Sequence, residues 1–331
     1  MPSSSHGSKQ RVSTPWSEGH RSLAANDALA RPRPSLPATA RRWLQENLSA
    51  LIMAPTAAVT LVFVYGFIAW TVYMSFTGSR MMPVYELIGF DAYARLWQME
   101  RWGVSIRNLL VFGGLFMVLN LAIGLLLAVL LDQRIRFEGT LRAIFLYPMA
   151  LSFIVTGTVW KWMLNPGLGL ERSVHLLGWT GFKFDWIINP DYAIYTIVIA
   201  GVWQTSGLIM AMFLAALRGV DQDVVKAAYM DGATMPQIYW GIIIPSIRPA
   251  FFSAVVVLAH LAVKSFDLVI AMTNGGPGYA TDLPSIFMYA MSFQRNNIAV
   301  GSATAVMMLC TVMAIVVPYL YSELRPGRRH D

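Results

Sequence analysis

Three ionisable side chains lie within an otherwise apolar run near residue 260. His260, Lys264 and Asp267 are spaced i, i+4 and i+7, so a continuous helix would place all three on one face. Ionisable groups inside a membrane-spanning helix are costly, and they commonly pair with each other or mark a transport path. The spacing therefore favours two interpretations equally: an internal Lys264–Asp267 ion pair that braces a subunit interface, and a polar path for a solute.

A second set of polar and aromatic residues could bind a polyhydroxylated solute. Trp203 and Gln204 are neighbours in the chain, and Phe266 precedes Asp267. Amide or carboxylate groups that bond to hydroxyls, together with aromatic faces, are what a sugar site combines. Isolated amides such as Gln204 and Asn120 have a second interpretation, hydrogen bonding to neighbouring helices, and this is the favoured one.

Several kinds of chemistry lack the residues that they need. We find no GxxxxGK[ST] phosphate loop, no Gly-x-Ser-x-Gly elbow, no HExxH helix and no carboxylate pair in a credible cleft. The single cysteine, Cys310, lies in an apolar run, so it offers no disulfide or CxxC site and is expected to be buried. The sequence predicts a chain that is not an enzyme and that binds no metal or cofactor itself.

Composition indicates a membrane protein. Of 331 residues, 56% are hydrophobic and only 13% are charged, which exceeds what a soluble core of this length requires. Six apolar runs are each long enough, at about 1.5 Å per helical residue, to cross a hydrocarbon layer of about 30 Å. They cover residues 51–76, 109–131, 143–164, 193–217, 250–272 and 298–321. The predicted fold is an all-α membrane protein with six transmembrane helices.

The distribution of Lys and Arg predicts the orientation and the domains. Basic residues concentrate before the first run, after the second, after the fourth and after the sixth, so both termini are predicted to be cytoplasmic. This clustering accounts for the net charge of +7 without nucleic acid. Residues 1–47 are predicted to form a disordered basic cytoplasmic tail, 48–324 the transmembrane domain and 325–331 a cytoplasmic tail. Lys161, near the outer end of the third run, is expected to snorkel to the interface.

The cytoplasmic loop 219–248 has the sequence of an ordered segment. Asp221 can cap a first short helix, and Gly232 can supply the left-handed residue that ends it. A second helix can begin at Thr234, with Gln237 completing a capping box. A DNA-binding helix-turn-helix is the formal alternative, but a short loop between two membrane spans is a poor scaffold for insertion into a DNA groove.

This loop resembles a known signature. The residues that carry the resemblance are Lys226-Ala227-Ala228, Asp231-Gly232-Ala233, Gln237 and Ile242-x-Ile244-Pro245. They look like the EAA loop of binding-protein-dependent ABC importer permeases. The resemblance implies that these residues form a coupling helix and turn that dock in a groove on a separate ATP-binding subunit. The family often has Glu where this chain has Lys226, which implies a different partner surface there.

A second pattern follows the fifth run. Thr273-Asn274-Gly275-Gly276-Pro277-Gly278, Thr281, Tyr289, Phe293, Gly301 and Ala303 occur in the order seen in carbohydrate-uptake permeases of the maltose-transporter type. The resemblance implies one permease subunit of an ATP-driven sugar importer in the bacterial inner membrane, working by alternating access. It also implies the partners: a second, different permease, two ATP-binding subunits that hold ATP and magnesium, and a periplasmic sugar-binding protein.

The substrate and the energy source each leave an alternative. Residues 282–291 and 318–325 look most like glucose or mannose permeases of Gram-negative bacteria, with α-glucosides or other oligosaccharides as alternative substrates. The alternative function is an ion- or proton-coupled secondary sugar transporter, with His260, Lys264 and Asp267 as the relay. Such a carrier needs no coupling loop and is expected to show inverted repeats, of which the sequence gives no sign.

Overall fold

The computed structural model describes most of the chain between the two tails. The described residues are Asn47, Ser49, 52–133 and 136–324, without the side chains of 322–324. The predicted tails, 1–47 and 325–331, therefore lie outside the described residues, apart from Asn47. Among the described residues all regular structure is helical, and the only extended pairing is one antiparallel bridge between Thr77 and Leu87. The described part of the chain is all-α, as predicted.

Two compact units divide the chain, Met1–Tyr65 and Gly66–Asp331. The described residues of the first unit are helical, and the second unit is a helical bundle. In chain order the helices are α1 Ile52–Ser75, α2 Asp91–Gln98, α3 Glu100–Asp132, α4 Glu138–Ala150, α5 Phe153–Met163, α6 Leu170–Leu176, α7 Ala193–Arg218, α8 Gln222–Met230, α9 Met235–Ser246, α10 Arg248–Val263, α11 Asp267–Met272, α12 Pro284–Tyr289 and α13 Ile298–Leu324.

Most candidate membrane spans follow the predicted apolar runs, but the α9–α10 pair, 235–263, is shifted towards the N-terminus of the predicted run 250–272. Among the described residues four helices are long and apolar enough to cross a membrane unaided, namely α1, α3, α7 and α13. The number rises to six if two bent pairs, α4 with α5 and α9 with α10, each form one span. The apolar run predicted to begin at residue 109 belongs to a longer helix, α3, whose polar first turns begin at Glu100. Cys310, predicted to be buried, is instead exposed on α13 within this chain.

The helix α7 is the centre of the second unit. In the most apolar stretch of α7, 67% of the residues are buried, against 28% in that of α3. The helix α3 packs along α7. The Thr205 hydroxyl of α7 donates to Asn120 Oδ1 of α3 at 2.8 Å, and Asn120 Nδ2 donates to the Phe116 carbonyl at 2.7 Å. A Cβ on Gly207 would overlap the Phe145 carbonyl oxygen of α4, so only glycine permits this approach. The interpretation of Asn120 as an amide that bonds to a neighbouring helix is confirmed.

The predicted third span, 143–164, is broken. The helices α4 and α5 meet at 97° across Leu151 and Ser152. Pro148 lies in the last turn of α4, and Ser152 caps the first turn of α5 through a 3.3 Å hydrogen bond. The Leu151 carbonyl oxygen accepts a hydrogen bond from Gln204 Nε2 at 2.8 Å. The prediction of one continuous helix over 143–164 is therefore wrong. The break is stable because Gln204 of α7 pairs the Leu151 carbonyl that the break leaves without a helical partner.

The predicted fifth span, 250–272, is broken as well. The helix α10 ends with Lys264 as its C-cap, and α11 begins at Asp267. The carbonyl oxygen of Ser265, within the break, accepts a hydrogen bond from the Ser285 hydroxyl of α12 at 2.7 Å. A further bend of 63° separates α9 from α10. A continuous helix over this run is therefore wrong, and tertiary contacts stabilise the interruption.

A buried ion pair holds the segment between α11 and α12 to the first turns of α3. Arg101 donates from Nε and Nη2 to the two carboxylate oxygens of Asp282 at 2.8 and 3.0 Å, and the Ser105 hydroxyl donates to the same carboxylate at 2.8 Å. Asn108 Nδ2 donates to the Asp282 backbone carbonyl at 3.0 Å. The Asp282 side chain is 0% exposed and that of Arg101 only 15%. This bidentate pair, the Arg101–Asp282 clasp, is therefore largely withdrawn from water.

Removing one partner of this clasp should destabilise the fold. We expect Asp282→Asn to lower the free energy of unfolding by about 3 kcal/mol, because Arg101 is left without its counter-charge. Thermal denaturation of the detergent-solubilised protein measures the loss. The matched control is Asp91→Asn, which breaks the exposed ion pair between Asp91 and Arg95, whose charged atoms lie 3.6 Å apart. This change should leave the thermal transition nearly unchanged. Coincident transitions for Asp282→Asn and the native chain would contradict this expectation.

Candidate functional site

The 219–248 loop, called the coupling loop below, folds as two short helices joined by a glycine turn. The Asp221 carboxylate caps α8 by accepting a hydrogen bond from the Asp223 N–H at 2.8 Å. Gly232, just after α8, has a φ of +82°, a left-handed conformation that favours glycine. Both local predictions, the Asp221 cap and the left-handed Gly232, are confirmed.

The helix α9 begins with the predicted capping box. Gln237 Oε1 accepts a hydrogen bond from the Thr234 N–H at 2.8 Å. Pro236 lies in the first turn, where its missing N–H costs no helical hydrogen bond. A π turn covers Tyr239–Ile243, and the helix continues through Pro245 to its end. The loop therefore runs as near-continuous helix from the glycine turn to the start of α10.

The coupling loop combines buried apolar side chains that anchor it with a set of exposed apolar side chains. Ile238, Ile243 and Ile247 are buried. The large apolar side chains that are exposed belong to Val224, Tyr229, Met230, Met235 and Trp240, with Met230 88% and Trp240 74% exposed. A concentration of exposed apolar side chains among polar residues is typical of an interaction surface.

The predicted coupling residues lie on or beside this surface. Of these residues Ala227, Asp231, Gly232 and Gln237 are exposed, whereas Ala228, Ala233 and Pro245 are half-buried. Lys226 Nζ lies 2.8 Å from the Asp223 carboxylate, but the two side chains are 74% and 84% exposed, so this pair contributes little stability. The helix α8 thus presents small residues and apolar side chains, which suits insertion into a groove on another protein.

Tyr239 connects the coupling loop to the ends of three helices. Its hydroxyl donates to Asp132 Oδ2 at 3.1 Å and accepts from Gln133 Nε2 at 3.1 Å, at the end of α3. Arg218, the last residue of α7, lies 2.6 Å from Glu138 Oε1 of α4 and 4.0 Å from Asp132 Oδ1. These five residues, the Tyr239 network, join α9 to the adjoining ends of α3, α4 and α7.

The three ionisable residues near position 260 do not share one helical face. Lys264 ends α10 and Asp267 starts α11, so the spacing no longer describes a single helix. His260, Lys264 and Asp267 are all exposed within the described chain. Neither Lys264 nor Asp267 forms an ion pair within 4.0 Å with any described residue. The predicted internal ion pair is therefore wrong for this chain, and these groups lie outside its core beside a helix break.

Gln204 lies at the other break. Its side chain is only 1% exposed, and Nε2 is used to pair the Leu151 carbonyl. Its Oε1 has no hydrogen-bond partner among the described residues. Buried polar atoms are almost always paired, so an unpaired oxygen at this break is unusual. Gln204 therefore bonds to a neighbouring helix, which is the favoured interpretation, and its Oε1 is left without a partner among the described residues.

The two predicted aromatic residues pack against other rings. Trp203 is 41% exposed and meets Trp160 of α5 edge-on, with ring centroids 5.8 Å apart. Phe266, in the α10–α11 break, packs against Tyr289 of α12 at 5.2 Å. Phe266 thus lies within one break, and Trp203 contacts the helix that follows the other.

A cavity of about 520 Å³ opens beside the end of α5. Lys161, Asn165 and Thr273 supply its polar groups, and Ile187 and Met272 are among its apolar walls. The volume is in the range of small-ligand pockets. Lys161, predicted to snorkel, therefore lines a cavity.

Two polar clusters of the bundle were missed by sequence reasoning. The Arg101–Asp282 clasp joins residues 181 positions apart, and Tyr239 and Asp132 are 107 positions apart, so no local spacing links the partners. Their one sequence signal is that Arg101, Asp132 and Arg218 flank apolar runs. In the described ranges, no group of three or more His, Cys, Asp or Glu residues could hold a metal ion.

Known proteins match this chain over most of its length. The family "Binding-protein-dependent transport system inner membrane component" matches residues 120–326. A probable ABC transporter permease protein of Pyrococcus horikoshii is 39% identical over 84% of this chain and 96% of its own length. The xylose/arabinose import permease of Haloferax volcanii is 34% identical over 80% of this chain and 84% of its own length. The trehalose/maltose transport system permease protein MalF of Thermococcus litoralis is 29% identical, over 84% and 94%.

A solved structure shares the fold. It is a chain of a bacterial ABC transporter involved in the import of the acidic polysaccharide alginate, with a TM-score of 0.75 and 21% identity over 87% of this chain and 100% of that chain. The matched relatives are permease components, so this chain is a multi-pass membrane permease and not an enzyme, as predicted. It belongs to the family of binding-protein-dependent transport system inner membrane components, the permeases of ABC transporters.

Proposed function

We propose that this chain is one permease subunit of an ATP-driven sugar importer that works by alternating access. The observation that carries the proposal is the ordered coupling loop, whose exposed apolar surface is tied through Tyr239 to the ends of three helices. Family membership supports an ABC permease. Relatives named for xylose and arabinose, and for trehalose and maltose, support sugars as the solute class.

The proposed complex also contains a second, different permease, two ATP-binding subunits that hold ATP and magnesium, and a periplasmic sugar-binding protein. A solved alginate transporter in complex with an alginate pentasaccharide-bound periplasmic protein supports the last of these. This chain binds no cofactor itself. ATP-driven closure of the two ATP-binding subunits moves the docked coupling loop, and the spans then switch between outward and inward access.

The coupling loop is proposed to face the cytoplasm, together with both termini. The excess of Lys and Arg in the tails and in alternate loops supports this orientation. The bundle then crosses the bacterial inner membrane six times, through α1, α3, α4 with α5, α7, α10 with α11, and α13. The Arg101–Asp282 clasp consequently lies at the outer end.

The solute pathway is proposed to pass the two helix breaks. The candidate residues are Trp203, Gln204, His260, Lys264, Phe266 and Asp267. The three ionisable groups are exposed within this chain, so a second permease that faces them completes a polar path. The aromatic rings of Trp203 and Phe266 offer stacking surfaces, and Gln204 keeps an acceptor, Oε1, that no described residue pairs.

Glucose or mannose is the substrate that we propose within the sugar class, with an α-glucoside or other oligosaccharide as the alternative. The resemblance of residues 282–291 and 318–325 to glucose or mannose permeases supports this choice. The ion-coupled carrier loses support, because its relay of His260, Lys264 and Asp267 does not lie on one helical face. A carrier of that kind also leaves the coupling loop without a role.

A single cysteine at Ala227 tests the proposed docking. Ala227 is exposed on α8, and the native Cys310, also exposed, is replaced by Ser. In membranes that hold the assembled transporter, we expect a crosslinked adduct to a separate ATP-binding subunit, with a yield that changes when ATP is added. Crosslinking followed by mass spectrometry identifies the partner.

The matched control is a single cysteine at Leu177, which is 87% exposed on the proposed outer side. It should give no adduct to the ATP-binding subunit. Adduct formation from Leu177 would refute the orientation. Absence of an adduct from Ala227, in a chain that still supports uptake, would refute the docking.

Gly232→Val should uncouple ATP hydrolysis from uptake. At a φ of +82° a β-branched side chain costs about 1–3 kcal/mol of backbone strain, although the space around Gly232 is open. We therefore expect a distorted turn in a normally inserted protein, with ATP hydrolysis retained and sugar uptake reduced. Gly232→Asn is the control, because Asn tolerates the left-handed conformation and should retain uptake. Normal uptake by Gly232→Val would defeat the prediction.

A further inference from the structure

We propose that the Tyr239 network transmits movement of the coupling loop to the break in the third span, with Tyr239 as the positioning residue. The inference rests on the proposed function, because it assigns the network a role within ATP-driven transport. No part of it requires contact with ATP or with sugar. The network acts through the helices that its members terminate.

Tyr239 stands where the loop meets the bundle. The preceding Ile238 is completely buried, and the following Trp240 is 74% exposed, so the chain passes from core to surface at this residue. The Tyr239 ring packs against the hydrophobic core, while its hydroxyl reaches Asp132 Oδ2 at 3.1 Å. A shift of α9 therefore moves the hydroxyl relative to the carboxylate at the end of α3.

Arg218 carries the connection from Asp132 to α4. Its Nε lies 4.0 Å from Asp132 Oδ1, and its Nη2 donates to Glu138 Oε1 at 2.6 Å. Glu138 is the first residue of α4, where a carboxylate is favoured by the helix dipole. Arg218 thus holds the end of α7 and the start of α4 beside the carboxylate that Tyr239 binds.

The helix α4 continues the connection to the break. Its Phe145 carbonyl lies so close to Gly207 of α7 that no Cβ would fit between them. At its far end the Leu151 carbonyl is held by Gln204, whose other amide atom is free. Unbroken contacts therefore run from Tyr239 to Gln204, and close-packed elements shift between discrete arrangements more readily than they deform.

Water reaches this network, which suits a part that moves. The side chains of Arg218, Glu138 and Asp132 are 44%, 33% and 26% exposed. Partly hydrated ion pairs can exchange partners at low cost, unlike buried pairs. Arg218 also has two carboxylates within 4.0 Å, so a small displacement can transfer it from one to the other.

Tyr239→Phe removes the hydroxyl and keeps the ring. In proteoliposomes that hold the assembled transporter, we expect the ratio of sugar transported to ATP hydrolysed to fall about tenfold. A tenfold loss corresponds to the free energy of about one hydrogen bond to a charged group. The yield of assembled complex should not change. The control is Tyr192→Phe, the same change at a tyrosine just before α7 that is 46% exposed and lies outside both the network and the coupling loop. An unchanged ratio in Tyr239→Phe, or an equal loss in both variants, overturns the inference.

A charge exchange provides an independent test. Arg218→Glu should lower the same ratio, because three carboxylates then face one another. Adding Glu138→Arg to that variant should restore most of the ratio, because the ion pair re-forms with reversed sign. A double variant as uncoupled as Arg218→Glu alone overturns the inference.

The native complex separates failure of the network from failure of the proposed function. If the native complex moves sugar without ATP hydrolysis, the proposed function is wrong. If the native complex couples normally and the variants match it, only the network inference is wrong.

Discussion

Every backbone group inside a hydrocarbon layer needs a partner from the protein, and two side chains meet that need where the helices break. Gln204 pairs the Leu151 carbonyl between α4 and α5, and Ser285 pairs the Ser265 carbonyl between α10 and α11. Because each partner comes from a different helix, the breaks are stable only in the packed bundle. The close fit of α4 on α7 at Gly207 keeps Gln204 within reach of its carbonyl. The polar groups beside these breaks are thereby fixed in an otherwise apolar bundle, which is what a solute pathway requires.

The two ends of the bundle are held by different kinds of interaction. The Arg101–Asp282 clasp is bidentate, and its carboxylate is fully buried, so opening it leaves a charge without a partner. The Tyr239 network is built from hydrogen bonds and ion pairs that water reaches, and these can rearrange at low cost. A rigid end and an adaptable end suit a permease that is driven from one side of the membrane.

Local features of the structure could be predicted from the sequence, and features that depend on distant contacts could not. The long apolar runs located α1, α7 and α13 to within a few residues, and Asp221, Gly232 and Gln237 act within their own turns. The break after Lys264 contains no Gly or Pro, and its stabilising hydroxyl, on Ser285, comes from another helix. The coupling loop was therefore predictable, whereas the surroundings of His260, Lys264 and Asp267 depended on contacts between distant parts of the chain.

ATP-driven accumulation of sugar is the activity that this chain is proposed to support, and it can be measured with purified complex in proteoliposomes. Radiolabelled glucose or mannose and its binding protein are supplied on the outer face, and ATP with magnesium on the face of the ATP-binding subunits. We expect accumulation that requires both ATP hydrolysis and the binding protein, and that persists when ionophores collapse all ion gradients. Accumulation driven by an ion gradient without ATP would contradict the assignment of this chain as an importer permease.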